Sequence, residues 1–382
     1  MLAITPNATL EGGGGDPDFP VTVLGQGFVS PEALLGGNTR INIVSWSGST
    51  ITGTLSPNIL AGIYGLSVRN SDNQTGVLPR AFTVHPRVNP SRTLNSGAAF
   101  LSTFGPLAPI SEGDDDYVQV LFFDVPDGPD DPLYVRIFDA DTGGMYDKTG
   151  LDGAIGDTMM TYILRGGTGA YSLPDAQSDH PGAGGISSGT ALGQQVIGQD
   201  AVLDNRWLSL GIYRGQGELV GGRRVFKLVV QGTSGDDGNW YQVGLSGDPN
   251  QHLEVPGARL FAFSWCLVLP GASNSVALYP YMPVGANRVA QYNFDLDTSP
   301  GTGISLFTSL RDLLVTSVGL SGDAAVASQE FAVFSGERFI TWSARYVAAD
   351  FAPVANHFTV WFRADDATSL AIFTAPTLVS PP

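Results

Sequence analysis

The chain has a single cysteine, Cys266, among 382 residues. An intrachain disulfide is therefore excluded, and so is a zinc site built on several thiolates. Cys266 lies in the apolar run Phe261–Leu269, where it reads as a buried, inert thiol. Lysine is almost missing too, since Lys148 and Lys227 stand against seventeen arginines. Charged residues make up only 14% of the sequence, against about 25% in ordinary soluble domains. The polar surface must then come from Gly, Ser, Thr, Asn and Gln. No apolar run reaches the roughly 18 residues of a membrane-spanning helix, so no transmembrane segment is expected. The opening Met1-Leu2-Ala3-Ile4-Thr5-Pro6 leads straight into a strand pattern without a basic stretch. A signal peptide, if there was one, is expected to have been removed.

What is present points to β structure. The 49 glycines and 25 prolines follow no collagen-like period and punctuate many short strands. A hydrophobic content of 43% is enough for real cores, and the length suggests two or three of them. The fold class expected is all-β: three tandem β-sandwich domains, at residues 1–88, 89–253 and 254–382. Residues Ile304–Leu314 space their apolar side chains at three to four, which fits either one helix or buried strands. A polar stretch, Ser172–Asn205, is long for a loop inside a compact domain, and such loops are usually functional or mobile.

The first unit has a recognisable order of pieces. Ile4-Thr5-Pro6 is followed by Val21-Thr22-Val23-Leu24-Gly25-Gln26-Gly27-Phe28, then Gly62-Ile63-Tyr64-Gly65-Leu66-Ser67-Val68-Arg69-Asn70, and Ala81-Phe82-Thr83-Val84 closes it. Over about 85 residues this resembles the IPT/TIG family. The resemblance implies an immunoglobulin-like fold used as a spacer or contact module, with no catalytic residues to carry over.

Charge is concentrated in the middle. The three stretches 1–90, 91–253 and 254–382 carry net charges of −1, −12 and −4, for a total of −17. Such a surface repels phosphate backbones, so nucleic acid is not an expected partner, and it attracts cations. The strongest chemical signal is the run Leu133–Gly150, in which a strand delivers Asp139 and Asp141 into a loop containing Gly143 and Gly144, with Asp147 six residues on. Alternation puts Asp139 and Asp141 on one face, and the glycines let the loop return Asp147 to them. Hard oxygen ligands on a flexible loop suit Ca²⁺, which takes about 6–8 oxygens, better than Zn²⁺. The plain alternative is a set of solvated turn aspartates. Gly235-Asp236-Asp237-Gly238-Asn239 either completes the same site or is an ordinary turn.

This Asp-x-Asp-x5-Asp loop resembles the third calcium loop of the calcium-dependent membrane-docking domains of protein kinase C and synaptotagmin, over about twenty residues. The resemblance implies further acidic ligands from an earlier loop, for which Asp114, Asp115, Asp116, Asp127, Asp130 and Asp131 are the candidates. The metal ligands expected are thus Asp139, Asp141, Asp147, Asp114, Asp116, Asp236 and Asp237. The lipid-gripping basic strand of that family has no clear match.

Catalytic patterns are weak. Gly185-Ile186-Ser187-Ser188-Gly189 fits G-x-S-x-G, but the sequence shows no strand before it and no helix after it, as a nucleophile elbow requires. His85, His180, His252 and His357 form no metal-binding pair. Tyr279 and Tyr281 sit in a strand pattern, where core packing is the default reading, and the alternative is that Tyr279-Pro280-Tyr281 forms an exposed platform for a sugar ring. The expected function is an extracellular or cell-surface calcium-binding structural or adhesive protein, not an enzyme. Its expected partners are copies of itself or a surface polysaccharide or other cell-envelope polymer, and the alternative is a carbohydrate-binding accessory region of a secreted enzyme.

Overall fold

The computed structural model describes residues 2–12, 15–87, 99–110, 116–269, 274–296, 303–315, 326–347 and 356–382. Nearly all regular structure among them is β-strand. The strand-rich reading follows from the residues: β-branched and aromatic side chains fill the strands, and glycine, proline and asparagine break them.

Residues 2–87 form a sandwich of two sheets. One runs Ala3–Thr5, Phe19–Leu24, Thr50–Leu55, Asn42–Trp46, and the other Ala8–Leu10, Thr75–His85, Gly62–Arg69, Glu32–Leu35, Thr39–Arg40. Alternate residues point inward, so Val21, Val23, Ile51, Leu55, Leu66 and Phe82 meet in a core of their own.

The rest is built on two larger sheets. The first runs in the order Trp207–Tyr213, Pro132–Phe138, Gly238–Ser246, Phe100–Phe104, Ser264–Leu269, Asn356–Ala364, Arg288–Phe294, Val326–Ala332. The second runs Thr190–Ile197, Met160–Gly166, Arg223–Gly232, Val118–Pro126, Arg259–Ala262, Ile372–Phe373, Ser275–Met282, Ser343–Val347, Gly303–Phe307, Asp312–Val315. Both sheets cross the boundary expected after residue 253. In one, Leu101 pairs with Leu267; in the other, Phe123 pairs with Leu260. One core, containing Leu101, Leu121, Trp265, Leu278 and Trp342, extends through both halves. The second and third expected sandwiches are therefore joined edge to edge, and a buried ion pair strengthens the joint: Asp124 accepts from Arg223 Nη2 at 3.0 Å and from Arg259 Nε at 2.9 Å.

Ile304–Leu314 is a hairpin, with Ile304 opposite Val315 and Phe307 opposite Asp312. Thr308 makes its turn by accepting the Leu310 and Arg311 amides, each at 3.1 Å. The neighbouring strand Ser343–Val347 supplies the ladder that a helix could not use. Ser172–Asn205 is structured as well. It holds a five-residue helix, Ala183–Ser187, and the strand Thr190–Ile197. Tyr171, Ala176 and Ile186 cover the outer face of the second large sheet, over Phe122 and Phe261. Because that face is aromatic, it needs a cover. Tyr279 and Tyr281 belong to the same covered cluster, at 0% and 7% exposure, so they form no exposed sugar platform.

Candidate metal centre

Strand Pro132–Phe138 ends at Asp139, which turns into the left-handed region at φ 57°. That turn sends its carboxylate inward, where Oδ1 accepts the Asn205 amide at 2.7 Å. Two residues on, Asp141 Oδ2 accepts the Asp200 amide at 3.1 Å. Both side chains are buried, and in each the second oxygen, Asp139 Oδ2 and Asp141 Oδ1, has no hydrogen-bond partner. Asp147 is tied differently: its oxygens accept the amides of Gly144 at 3.1 Å and Trp240 at 2.9 Å. Burial pushes the Asp139 carboxyl up to about 6, helped by the charges of Asp141 and Asp204. Burial, with a contribution from Asp139, pushes Asp147 up to about 7. Burial also raises Asp141, and Asp204 and Asp200 add to the effect.

These three aspartates adjoin a tighter convergence. Among the described residues, the acidic group whose ligand atoms lie within 4.8 Å of one another is Asp152, Asp157 and Asp236. Asp236 is buried at 9% exposure, and its Oδ1 has no hydrogen-bond partner. Its Oδ2 accepts the Asp152 amide at 3.2 Å, and its own amide donates to Asp157 Oδ1 at 3.3 Å. Gly235 makes this approach possible. Its φ is +69°, and a Cβ there would sit 2.1 Å from Asp157 Oδ1.

Asp237 has a different task. Its carboxylate accepts the amides of Gly150 and Gly156, each at 2.6 Å, and of Asp157 at 3.0 Å. It fixes the backbone of the 150–157 loop, and so sets the positions of Asp152 and Asp157. The cluster at 235–239 is therefore more than an ordinary turn. Of the expected ligands, Asp236 enters the convergent group, while Asp139, Asp141 and Asp147 line the loops beside it and Asp237 braces it. Asp116 lies elsewhere, accepting the Thr359 hydroxyl at 2.5 Å, and Asp114 falls outside the described residues. Sequence reasoning did not single out Asp152, Asp157, Asp200 or Asp204. Asp152 and Asp157 had a signal, since each lies beside a glycine in the same acidic run; Asp200 and Asp204 had none.

Three carboxylates at this spacing can chelate one hard cation, with backbone carbonyls or water filling the remaining positions. Partnerless oxygens inside the fold favour that chemistry, because an unpaired buried carboxylate is costly without a counter-charge.

The serine motif has no comparable organisation. Ser187 ends the short helix and donates to the Ala183 carbonyl at 2.6 Å. Its neighbour Ser188 accepts from the buried Lys227 at 2.7 Å, a contact that pins the covering segment to the sheet.

These features define an all-β protein with an acidic loop centre. The chain matches no family model and no curated protein. Among solved structures it is similar to the crystal structure of tripeptidyl peptidase 2, at 10% identity and a TM-score of 0.20, covering 100% of this chain and 34% of that one. A cryo-EM reconstruction of E. coli alpha-2-macroglobulin gives 9% identity and a TM-score of 0.18, covering 97% and 22%. The chain thus spans about a third or less of either protein, and likenesses this distant carry no functional argument.

Proposed function

We propose that this chain is an extracellular calcium-binding structural or adhesive module. The observation that supports it best is the convergence of Asp152, Asp157 and Asp236 within 4.8 Å, with an oxygen of Asp236 buried and partnerless. The ion would join the loops at residues 150–157 and 235–237, beside the aspartates of the 139–147 loop. Its contribution is mechanical: it makes those loops rigid and neutralises part of the acidic middle. In this reading the first sandwich, which resembles IPT/TIG domains in sequence, is a spacer.

The test is a calcium titration by calorimetry, with melting curves in calcium and in chelator. Calcium should stabilise by about 2.7 kcal/mol at a hundred times its dissociation constant. Asp236→Asn should remove most of that gain, whereas Asp248→Asn, in the turn at the other end of strand Gly238–Ser246, should not. Identical melting curves for the wild type in calcium and chelator would overturn the reading.

Attachment to a polymer or to further copies is the second half of the proposal. The edge strand Thr190–Ile197 supports it, because it carries no charge and no proline and exposes Val196 at 52%. Ser275–Met282 offers no such edge, since it pairs with Ser343–Val347 on one side and with Ile372–Phe373 on the other. The C-terminal tail folds onto its own body, where the Thr377 amide donates to Thr341 Oγ1 at 3.0 Å.

A further inference from the structure

A cavity of about 450 Å³ opens where the two halves of the large sheets meet. Its walls are apolar and come from Val118, Phe122, Phe263 and Phe294. Polar groups are set into them: Asp116, Asp179, His180, Gln231 and Trp361. Tyr117 stands at the rim with 52% exposure.

The polar groups are held in place. Asp179 is buried and gripped by Arg363, whose Nε and Nη2 donate at 2.7 and 2.9 Å. The same carboxylate meets His180 Nδ1 at 3.0 Å, which orients the imidazole and leaves Nε2 available. Trp361 stacks flat on Tyr292 at 5.4 Å and 4°, and His180 meets it edge-on at 4.9 Å. Its indole Nε1 is buried without a hydrogen-bond partner. The pocket thus presents a donor, a carboxylate that accepts, an amide that does both and an imidazole whose Nε2 accepts while its Nδ1–H donates to Asp179.

From this we infer that the cavity is a saccharide-binding site. An anion would face the Asp116 carboxylate in a chain of net charge −17. A divalent cation would find no chelate, because Asp179 is already committed to Arg363 and His180. A wholly apolar ligand would leave the indole N–H of Trp361 without a partner, at a cost. Hydroxyl groups donate and accept together, and a neutral sugar ring carries several of them around faces of C–H that suit the apolar walls. The volume falls within the range of small-ligand sites. This inference rests on the attachment half of the function proposed above, to which it gives a ligand chemistry, and not on calcium.

The experiment is saturation-transfer NMR and calorimetry on the full chain, in calcium and in chelator. The probes are methyl glycosides of glucose, galactose, mannose and N-acetylglucosamine, together with cellobiose, maltose and lactose. At least one should bind at about millimolar affinity or tighter. Tyr117→Ala and Trp361→Phe should each weaken it about tenfold. Tyr117 is exposed, so its variant decides the matter even if the Trp361 variant fails to fold. No binding by any probe, or binding unchanged in Tyr117→Ala, overturns the inference. Binding in chelator by a chain that shows no calcium heat would retire the cation reading alone, and normal calcium heat without sugar binding would retire this one alone.

Discussion

Single residues show how much of this fold depends on buried polar groups. Glu218, at 6% exposure, accepts the amides of Gly169 at 2.8 Å, Tyr171 at 2.6 Å and Ser172 at 3.0 Å, as well as the Ser172 hydroxyl at 2.5 Å. Burial alone would raise its pKa, but those hydrogen bonds outweigh it and hold the carboxyl below its ordinary value. Glu218→Ala would strand several donors at once, and should cost about 3 kcal/mol in denaturant unfolding, with earlier proteolysis in the 167–188 segment. His357 works the other way. It is packed between the rings of Phe104 and Trp240, each 5.2 Å away. Burial, with Lys148 nearby, pushes it down to about 3 from 6.5. The unfolded chain therefore binds a proton that the folded one refuses between those values. His357 thus costs the folded state about 1.4 kcal/mol per pH unit as pH falls below 6.5. His357→Phe should flatten that part of the stability–pH curve, and an unchanged slope would show that the acid sensitivity lies elsewhere.

At the scale of elements, the decisive contacts are made by backbone rather than by side-chain type. The strand Gly62–Arg69 of the first sandwich presses on the turn of the hairpin at 303–315. A Cβ on Gly65 would lie 1.9 Å from the Ser309 carbonyl oxygen, and Ser343 Oγ donates to the Ala61 carbonyl at 2.9 Å across the same seam. Gly65→Ala should separate the first sandwich from the body at a cost of about 2 kcal/mol, seen in calorimetry as a new, earlier transition. Nothing in the periodicity of Ile304–Leu314 chose between helix and hairpin, because both bury the same apolar residues. The ladder offered by Ser343–Val347 made the choice. The 172–205 stretch is legible as polar and glycine-rich, yet it covers an aromatic sheet face, a role visible only once Phe122 and Phe261 are known to point outward from that sheet.

For the whole molecule, the continuity of both sheets and of the core across residue 253 predicts one cooperative unit over residues 99–382. Leu121→Ala, before that boundary, and Leu278→Ala, after it, should lower the same calorimetric transition, each by about 3 kcal/mol. Two transitions, each sensitive to only one variant, would show independent sandwiches instead. By itself the sequence determined the all-β class, the burial of Cys266 and the acidic character of the middle. All of these follow from composition and from alternation along single strands. It also marked Asp139, Asp141 and Asp236, because closely spaced aspartates beside glycines are visible locally. Which carboxylates meet was decided only by the tertiary structure: Asp152 and Asp157 reach Asp236 because Asp237 holds their loop, and Asp200 and Asp204 come beside Asp139 and Asp141 from some sixty residues away in the sequence. The joining of the two large sandwiches has the same origin. Strand pairing joins backbones, which are alike at every residue, so a sequence pattern shows where a strand lies but not which strand it will lie beside.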